Sequence, residues 1–372
     1  MNILFITTHL EPGGVPYYTV SLAEALKKRG HRVLVASGGG KFSDILSNLD
    51  TEHIKLNIRT KSELSPKILF SLIQLLGIVK EKNIQIIHAQ TRVTQVLSFL
   101  LSKLTGIPYI STCHGFFRPH FFRKALPLWG KRVIAISKAV EKHLIGDMKI
   151  KKEHIKLIHN GIDCNKFNVI DSQRINEFKQ RIGLKAGSVV GILARLSDVK
   201  GHKYLIEAFK KVLPRIPDVQ LLIVGDGKMK DELVELTHNL DIQKNVFFVP
   251  SLLDIPLVLS AMDIFVMPSI QEGLGLSIMQ AQAAGLAVIA SSVGGISTLI
   301  EDRQTGILIP SADTEAIAKS IILLLTDKDL AVRLGQNAKR NIQENFSLEK
   351  MAAGTEKLYS EVVGEISGEC RF

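Results

Sequence analysis

Ile264-Phe265-Val266-Met267-Pro268-Ser269-Ile270-Gln271-Glu272-Gly273-Leu274-Gly275-Leu276-Ser277-Ile278-Met279-Gln280-Ala281 is the stretch around which the rest of the chain can be read. Four apolar residues stop at a proline, a turn carries one carboxylate and two glycines, and an apolar, small-residue run of helical character follows. The order is strand, turn, helix. Two glycines let a main chain come close to a ligand, and the first turn of the helix offers an anion N–H groups that lack intrahelical partners. Glu272 beside them can accept from hydroxyls. Taken alone, the same residues also describe a plain corner with a solvated glutamate, so the remainder of the chain decides.

That remainder alternates in the same way. Asn2-Ile3-Leu4-Phe5-Ile6-Thr7 reads as a buried parallel strand and runs into Glu11-Pro12-Gly13-Gly14-Val15. Val20, Leu22, Ala23, Ala25 and Leu26 then recur at helical spacing, Gly30 marks the stop, and Arg32 to Ala36 restarts a strand. This βαβ unit puts Gly13 and Gly14 at the carboxyl end of the first strand, where open α/β sheets bind ligands. The turn is not a G-x-G-x-x-G fingerprint, so a dinucleotide reading is weak. Strands follow at 84–89, 109–113 and 133–136, with Ser137 as an N-cap and His114-Gly115 delivered to a loop. The helix between, 66–82, is apolar over much of its circumference and reads as a core helix, with membrane contact as the lesser alternative.

Lys156 to His159 closes in Asn160-Gly161-Ile162-Asp163, and the polar stretch Asn165 to Lys185 reads as the crossing into a second domain. A second alternating series starts at Ser188. Its strand 188–193 leads into Ala194-Arg195-Leu196-Ser197-Asp198-Val199-Lys200-Gly201, and Gln220 to Val224 ends in Gly225-Asp226-Gly227. Strands at 246–249, 264–267, 287–290 and 306–309 complete it. The expected fold is α/β: two Rossmann-like doubly wound domains facing a central cleft, residues 1–165 and 166–347, with an amphipathic segment 348–372 folding back on the first.

A chain of 372 residues suits two domains, and 46% apolar with 22% charged residues is the composition of a globular protein. No apolar run is long enough to span a bilayer, and the start of the chain lacks a charged n-region and cleavage site, which points to the cytosol. Cys113, Cys164 and Cys370 are too few and too scattered for a disulfide framework or a clustered metal site. The net charge of +11 is uneven: residues 1–165 hold 24 Lys and Arg against 11 Asp and Glu, the remainder 23 against 25. A basic half can meet nucleic acid, an anionic membrane face or a phosphate-bearing substrate, or simply present a solvated lysine-rich surface. Between Arg118 and Lys152 basic residues mix with Phe116, Phe117, Phe121, Phe122 and Trp129, a combination suited to anionic lipid. No RNA-binding signature accompanies it, so the membrane ranks above nucleic acid.

Four features at strand ends therefore converge: Gly13-Gly14, His114, Arg195 with Lys200, and Glu272 with its glycines. Two cations in such loops imply a polyanion, since Arg195 can fork onto phosphate oxygens and Lys200 can add a point charge. The run Ala194 to Gly201, the turn Glu272-Gly273-Leu274-Gly275-Leu276, the Gly13-Gly14 loop, His114-Gly115 and Asn160-Gly161-Ile162-Asp163 together resemble the retaining GT-B glycosyltransferases of glycosyltransferase family 4, over nearly the whole chain. The resemblance implies an N-terminal domain for the acceptor, a C-terminal domain for a nucleotide-sugar donor, and no required metal or other cofactor. It puts Arg195, Lys200 and the backbone near Gly14 on the donor diphosphate, with Gly13, Gly225 and Asp226 also on the donor side. Glu272 would hold hydroxyls of the transferred sugar, and amides at Gly273, Leu274, Gly275 and Leu276 the phosphate. His114 would stand near the reacting carbon.

One position departs from the family pattern, which has a second glutamate eight residues after the first to grip the nucleotide ribose; here that residue is Gln280. An amide oxygen can accept from ribose hydroxyls but lacks the charge that strengthens the bond. The D-x-D triplet Asp327-Lys328-Asp329 sits between helical patterns and reads as a cap rather than a metal site. The expected activity is transfer of a sugar, with retention, from a nucleotide-diphosphate donor to a glycan or lipid-linked acceptor, in cell-envelope or surface polysaccharide synthesis. The basic first domain suggests peripheral contact with the inner face of the cell membrane. The alternatives are a non-catalytic nucleotide-sugar-binding protein and a GT-B nucleotide-sugar epimerase.

Overall fold

The computed structural model describes residues 1–117, 127–168 and 170–369. The chain divides into two compact units, Met1–Gly161 with Leu348–Phe372, and Ile162–Ser347. In the first, strands β1 (Asn2–Ile6), β2 (Arg32–Ser37), β3 (Glu52–Lys55), β4 (Ile86–Ala89), β5 (Tyr109–Cys113), β6 (Val133–Ala135) and β7 (Ile155–Leu157) pair in parallel in the order β3-β2-β1-β4-β5-β6-β7. Helices cover both faces, which is why β1 is apolar at every position from Ile3 to Ile6. Its alternate residues serve separate cores. Ile3 and Phe5 pack with Leu22 and Leu26 of helix Gly14–Lys28 and with Met351 and Tyr359 of helix Leu348–Glu369. Leu4 and Ile6 pack with Leu72 and Leu75 of helix Pro66–Glu81 and with Leu97 and Leu101 of helix Arg92–Thr105.

The second unit repeats the plan with β8 (Val189–Leu193), β9 (Gln220–Val224), β10 (Val246–Val249), β11 (Ile264–Met267), β12 (Ala287–Ser291) and β13 (Ile307–Ile309), in the order β10-β9-β8-β11-β12-β13. All its pairs are parallel. In each sheet the strand order reverses beside the first strand of its series, between β1 and β4 and between β8 and β11, so that the loops leaving these strands flank a switch point.

Four local readings differ from the sequence-based expectation. Helix Phe42–Asn48 and strand β3 are additional; β3 is an edge strand, Glu-His-Ile-Lys, whose single buried apolar residue, Ile54, leaves no strand periodicity to detect. The polar stretch 165–185 contains helix Ser172–Arg181, anchored by buried Phe178 and capped by the Asp171 carboxylate, which accepts from the Gln173 N–H at 3.2 Å. Helix Pro66–Glu81 is not wholly a core helix: Leu69, Phe70 and Ile73 are 57%, 66% and 62% exposed. Of the basic and aromatic stretch, Arg118, Phe121, Phe122, Arg123 and Lys124 lie outside the described residues, as does Cys370. Its described rings are packed ones. Phe116 meets His143 edge-on, Phe117 leans on Trp129, and Trp129 is buried.

Candidate active site

In the second unit, three loops at the carboxyl ends of β8, β11 and β12 are tied to one another by backbone contacts. After β8 the chain makes a 3-10 turn, Asp198–Lys200, and Gly201 takes φ +72°. A Cβ at Gly201 would stand 1.9 Å from the Pro268 carbonyl oxygen, so this glycine is required by a backbone crossing as well as by its dihedral. The Ile270 N–H donates to the Val199 carbonyl at 2.9 Å across the same crossing. From β12, the Gly295 N–H donates to the Glu272 carbonyl at 3.1 Å, and a Cβ there would be 2.2 Å from the Gly273 oxygen. The Glu272 turn is thus held from both sides.

Within this frame Lys200 Nζ donates to Glu272 Oε2 at 2.5 Å, with the two side chains 21% and 13% exposed. A cation and a hydroxyl-accepting carboxylate are brought into one spot from loops 72 residues apart. Arg195 is exposed on the loop after β8. Gly275, at φ +103°, precedes helix Leu276–Ala283, whose first turn has no side-chain cap and no acidic residue, leaving its amides for an anion. Leu274 is buried and fixes the turn, and Gln280 lies on the same helix, 4% exposed. Gly225 presses on the β8 loop, where a Cβ would be 2.0 Å from the Ala194 oxygen. Asp226 is committed locally: its carboxylate accepts from the Ser251 N–H at 2.9 Å and its carbonyl from the Leu196 N–H at 3.0 Å.

Several buried polar atoms here have no hydrogen-bond partner among the described residues: Ser197 Oγ, Ser269 Oγ and both ring nitrogens of His202. Each belongs to a residue one or two positions from a contact just described. Burial, then the charge of Lys200, pushes the His202 pKa down to about 4, so its ring is neutral and offers one donor and one acceptor. Sequence reading passed over His202 and Gly295, since a lone histidine and a glycine pair carry no pattern of their own.

In the first unit the equivalent position is the loop after β1. Gly13 is extended, and a Cβ would meet nothing nearer than the Pro16 Cδ at 3.9 Å. Neither backbone nor packing explains a glycine there, which leaves close approach from outside as its physical use. Helix Gly14–Lys28 starts without a side-chain cap or an acidic residue in its first turn. The loop is braced by Arg59, missed in the sequence, which donates to the Gly38 and Gly39 carbonyls at 2.9 and 2.8 Å and to Glu11 Oε1 at 2.8 Å.

His114 leaves β5 with Nε2 2.9 Å from Gln90 Oε1 and its ring edge-to-face on Tyr18, 4.8 Å between centroids. Burial pushes its pKa down to about 3, so it is neutral near pH 7. Gln90 was another omission; it follows β4, is 2% exposed, and its Nε2 has no partner among the described residues. Beneath lies a buried relay: the Tyr18 hydroxyl is 3.2 Å from Thr112 Oγ1, which is 2.7 Å from His88 Nε2, and His88 Nδ1 is 2.7 Å from the Tyr359 hydroxyl. Tyr18 is therefore a buried support for His114. Asp327 of the D-x-D triplet caps helix Lys328–Asn345, its carboxylate accepting from the Leu330 N–H at 2.9 Å.

Residues 12–166 match the model of Glycosyltransferase Family 4, and residues 174–341 match that of Glycosyl transferases group 1. The chain is 30% identical over 312 residues, 79% of each protein, to an Escherichia coli UDP-Gal:alpha-D-GlcNAc-diphosphoundecaprenol alpha-1,3-galactosyltransferase. It is 25% identical, over 96% of each, to the N-acetyl-alpha-D-glucosaminyl L-malate synthase of Bacillus anthracis. Among solved structures, a glycosyltransferase of Rickettsia africae superposes with a TM-score of 0.85 at 28% identity over 97% of this chain and 98% of the other. Anabaena HepE in complex with UDP-glucose gives 0.85 at 25% identity over 97% and 100%.

Proposed function

This chain belongs to glycosyltransferase family 4, and on that premise we propose that it moves a sugar, with retention and without a metal ion, from a uridine diphosphate sugar to a glycan or lipid-linked acceptor. The observation that carries the reading is the Lys200–Glu272 contact, a cation and a carboxylate joined beside an uncapped helix start. A departing diphosphate gathers negative charge. Lys200, held by Glu272, and the amides from Gly275 onward are preorganised positive ends for that charge, with exposed Arg195 as a further cation, and fixed dipoles lower such a barrier without reorganising. Glu272 would orient sugar hydroxyls, and Gln280 would meet the ribose. A neutral His114, held by Gln90 and Tyr18, would serve as a positioning hydrogen-bond group and not as a proton store at neutral pH. The first unit would hold the acceptor.

Two relatives support the donor class: the E. coli enzyme is named for UDP-Gal, and HepE was solved with UDP-glucose. The E. coli acceptor, a diphosphoundecaprenol, supports a lipid-linked acceptor in cell-envelope polysaccharide synthesis. Among the described residues no helix is long and apolar enough to cross a membrane, so meeting such an acceptor calls for peripheral contact with the inner membrane face by the basic first unit. The test is a thermal-shift screen of UDP-, GDP- and ADP-sugars followed by product analysis with and without a chelator. A UDP-sugar should raise the melting temperature and be consumed by transfer at an undiminished rate in the chelator. Epimerised donor, or binding without turnover, would point instead to the alternatives.

A further inference from the structure

Helix Pro66–Glu81 carries apolar side chains on two opposite faces. Ile68, Leu72, Leu75 and Val79 point into the core, and that alone anchors the helix. Leu69, Phe70 and Ile73 share the other face with Gly77, and Leu64, just ahead of the helix, is 94% exposed. On the neighbouring helix Arg92–Thr105, Leu104 is 64% exposed. A soluble helix normally turns polar residues outward, so large side chains exposed in a row call for an occupant.

We propose that this outward face docks on a membrane surface containing anionic lipid, with Leu64, Leu69, Phe70 and Ile73 entering the headgroup–acyl boundary and lysines around them meeting the headgroups. The proposal rests on the peripheral-membrane reading given above and names the surface responsible. Charge supports this occupant: Lys61, Lys80 and Lys103 are exposed around the patch. The acidic side chains beside it are engaged, Glu63 with Arg92 and Glu81 with Lys82. Form supports it too. The patch is the outer face of one helix, as an in-plane amphipathic helix presents itself to lipid. At about 150–250 Å² for a fully exposed large side chain, the four residues offer on the order of 500 Å², short of the roughly 800 Å² per partner of a stable protein interface. The apolar row and the basic rim match the two components of a membrane surface, acyl chain and anionic headgroup.

The experiment is vesicle flotation with phosphatidylcholine alone and with added phosphatidylglycerol, using wild type, the pair Phe70→Ser with Ile73→Ser, and the pair Lys61→Glu with Lys80→Glu. All substituted positions are exposed, so the melting temperature should not change. Wild type should float with anionic vesicles, the serine pair should lose roughly tenfold or more of that binding, and the glutamate pair should lose the preference for phosphatidylglycerol. Because the sole tryptophan, Trp129, is buried, Phe70→Trp adds a reporter whose emission should shift to the blue on anionic vesicles. Wild type that floats with neither vesicle would overturn the membrane reading itself. Equal flotation of wild type and the serine pair would overturn this surface alone. A wild-type dimer that the serine pair converts to monomer would assign the face to a second copy of the chain.

Discussion

Lys200→Met keeps the length of the side chain and removes the ammonium bonded to Glu272. The contact is 2.5 Å long and both partners are largely shielded, so it is a charge-assisted bond in a region where water is scarce. Deleting the ammonium strands a carboxylate at a cost of about 1–3 kcal/mol. For a domain of about 150–250 residues each kcal/mol lowers the melting temperature by about 2–4 °C. The chemical loss is separate. Without its point charge the leaving diphosphate keeps the helix amides and Arg195, and removal of one such group costs about 10²–10³ in turnover. Glu272→Gln should melt closer to wild type, because a freed lysine can reach solvent. The double variant should recover part of the stability, a coupling of about 0.5–3 kcal/mol, and none of the turnover. Thermal melts read the first effect and single-turnover donor consumption the second. A Lys200→Met protein that melts with wild type and turns over within a few-fold of it would refute both the pairing energy and the assignment of this site.

Gln280→Glu puts a carboxylate where the side chain is 4% exposed, so the free protein should lose about 1–3 kcal/mol while turnover is kept or improved; a stable but inactive variant would count against a ribose role. Burial holds the pKa of His114 and of His202 at about 3 and about 4, below the ordinary 6.5, so the stability they confer is complete above pH 6.5 and is lost as pH falls toward those values. Melting temperature should therefore be flat above neutrality and decline in acid, less steeply for His202→Gln. Tyr359→Phe leaves His88 Nδ1 without its 2.7 Å partner, at a cost of about 1–3 kcal/mol by denaturant titration, and should lower turnover through the Tyr18–His114 contact with little change in donor affinity.

Much of the fold follows from local pattern. Runs such as Gln220–Val224 and Ile264–Met267 are apolar at nearly every position because parallel strands are covered on both faces, and each ends in a recognisable glycine or proline turn. Charged Arg195, Lys200 and Glu272 were noticeable because a charge at a strand end needs a reason. Gln90, Arg59 and Gly295 were not, since what distinguishes them is the neighbour the sheet brings from elsewhere: His114 to Gln90, the glycine loop to Arg59, the Glu272 turn to Gly295; His202 is set apart only by its burial with both ring nitrogens unpartnered among the described residues. Helix Pro66–Glu81 shows the opposite limit. With apolar residues at most phases of the turn, periodicity cannot say which of them another element covers, and the sequence only ranks core burial ahead of membrane contact.

The C-terminal helix gives the molecule an order of assembly. Residues Ile162–Ser347 form a unit complete within one continuous segment, whereas the first unit counts Leu348, Met351, Ala352, Leu358, Tyr359 and Val362 in the same apolar cluster as Ile3 and Phe5. On the ribosome, the half made first must wait with an open core while the half made second closes. The closure that brings helix Leu348–Glu369 onto β1 comes after the second unit has been made; its entropic cost is met by that buried face, and with it arrives the Tyr359 hydroxyl that His88 needs.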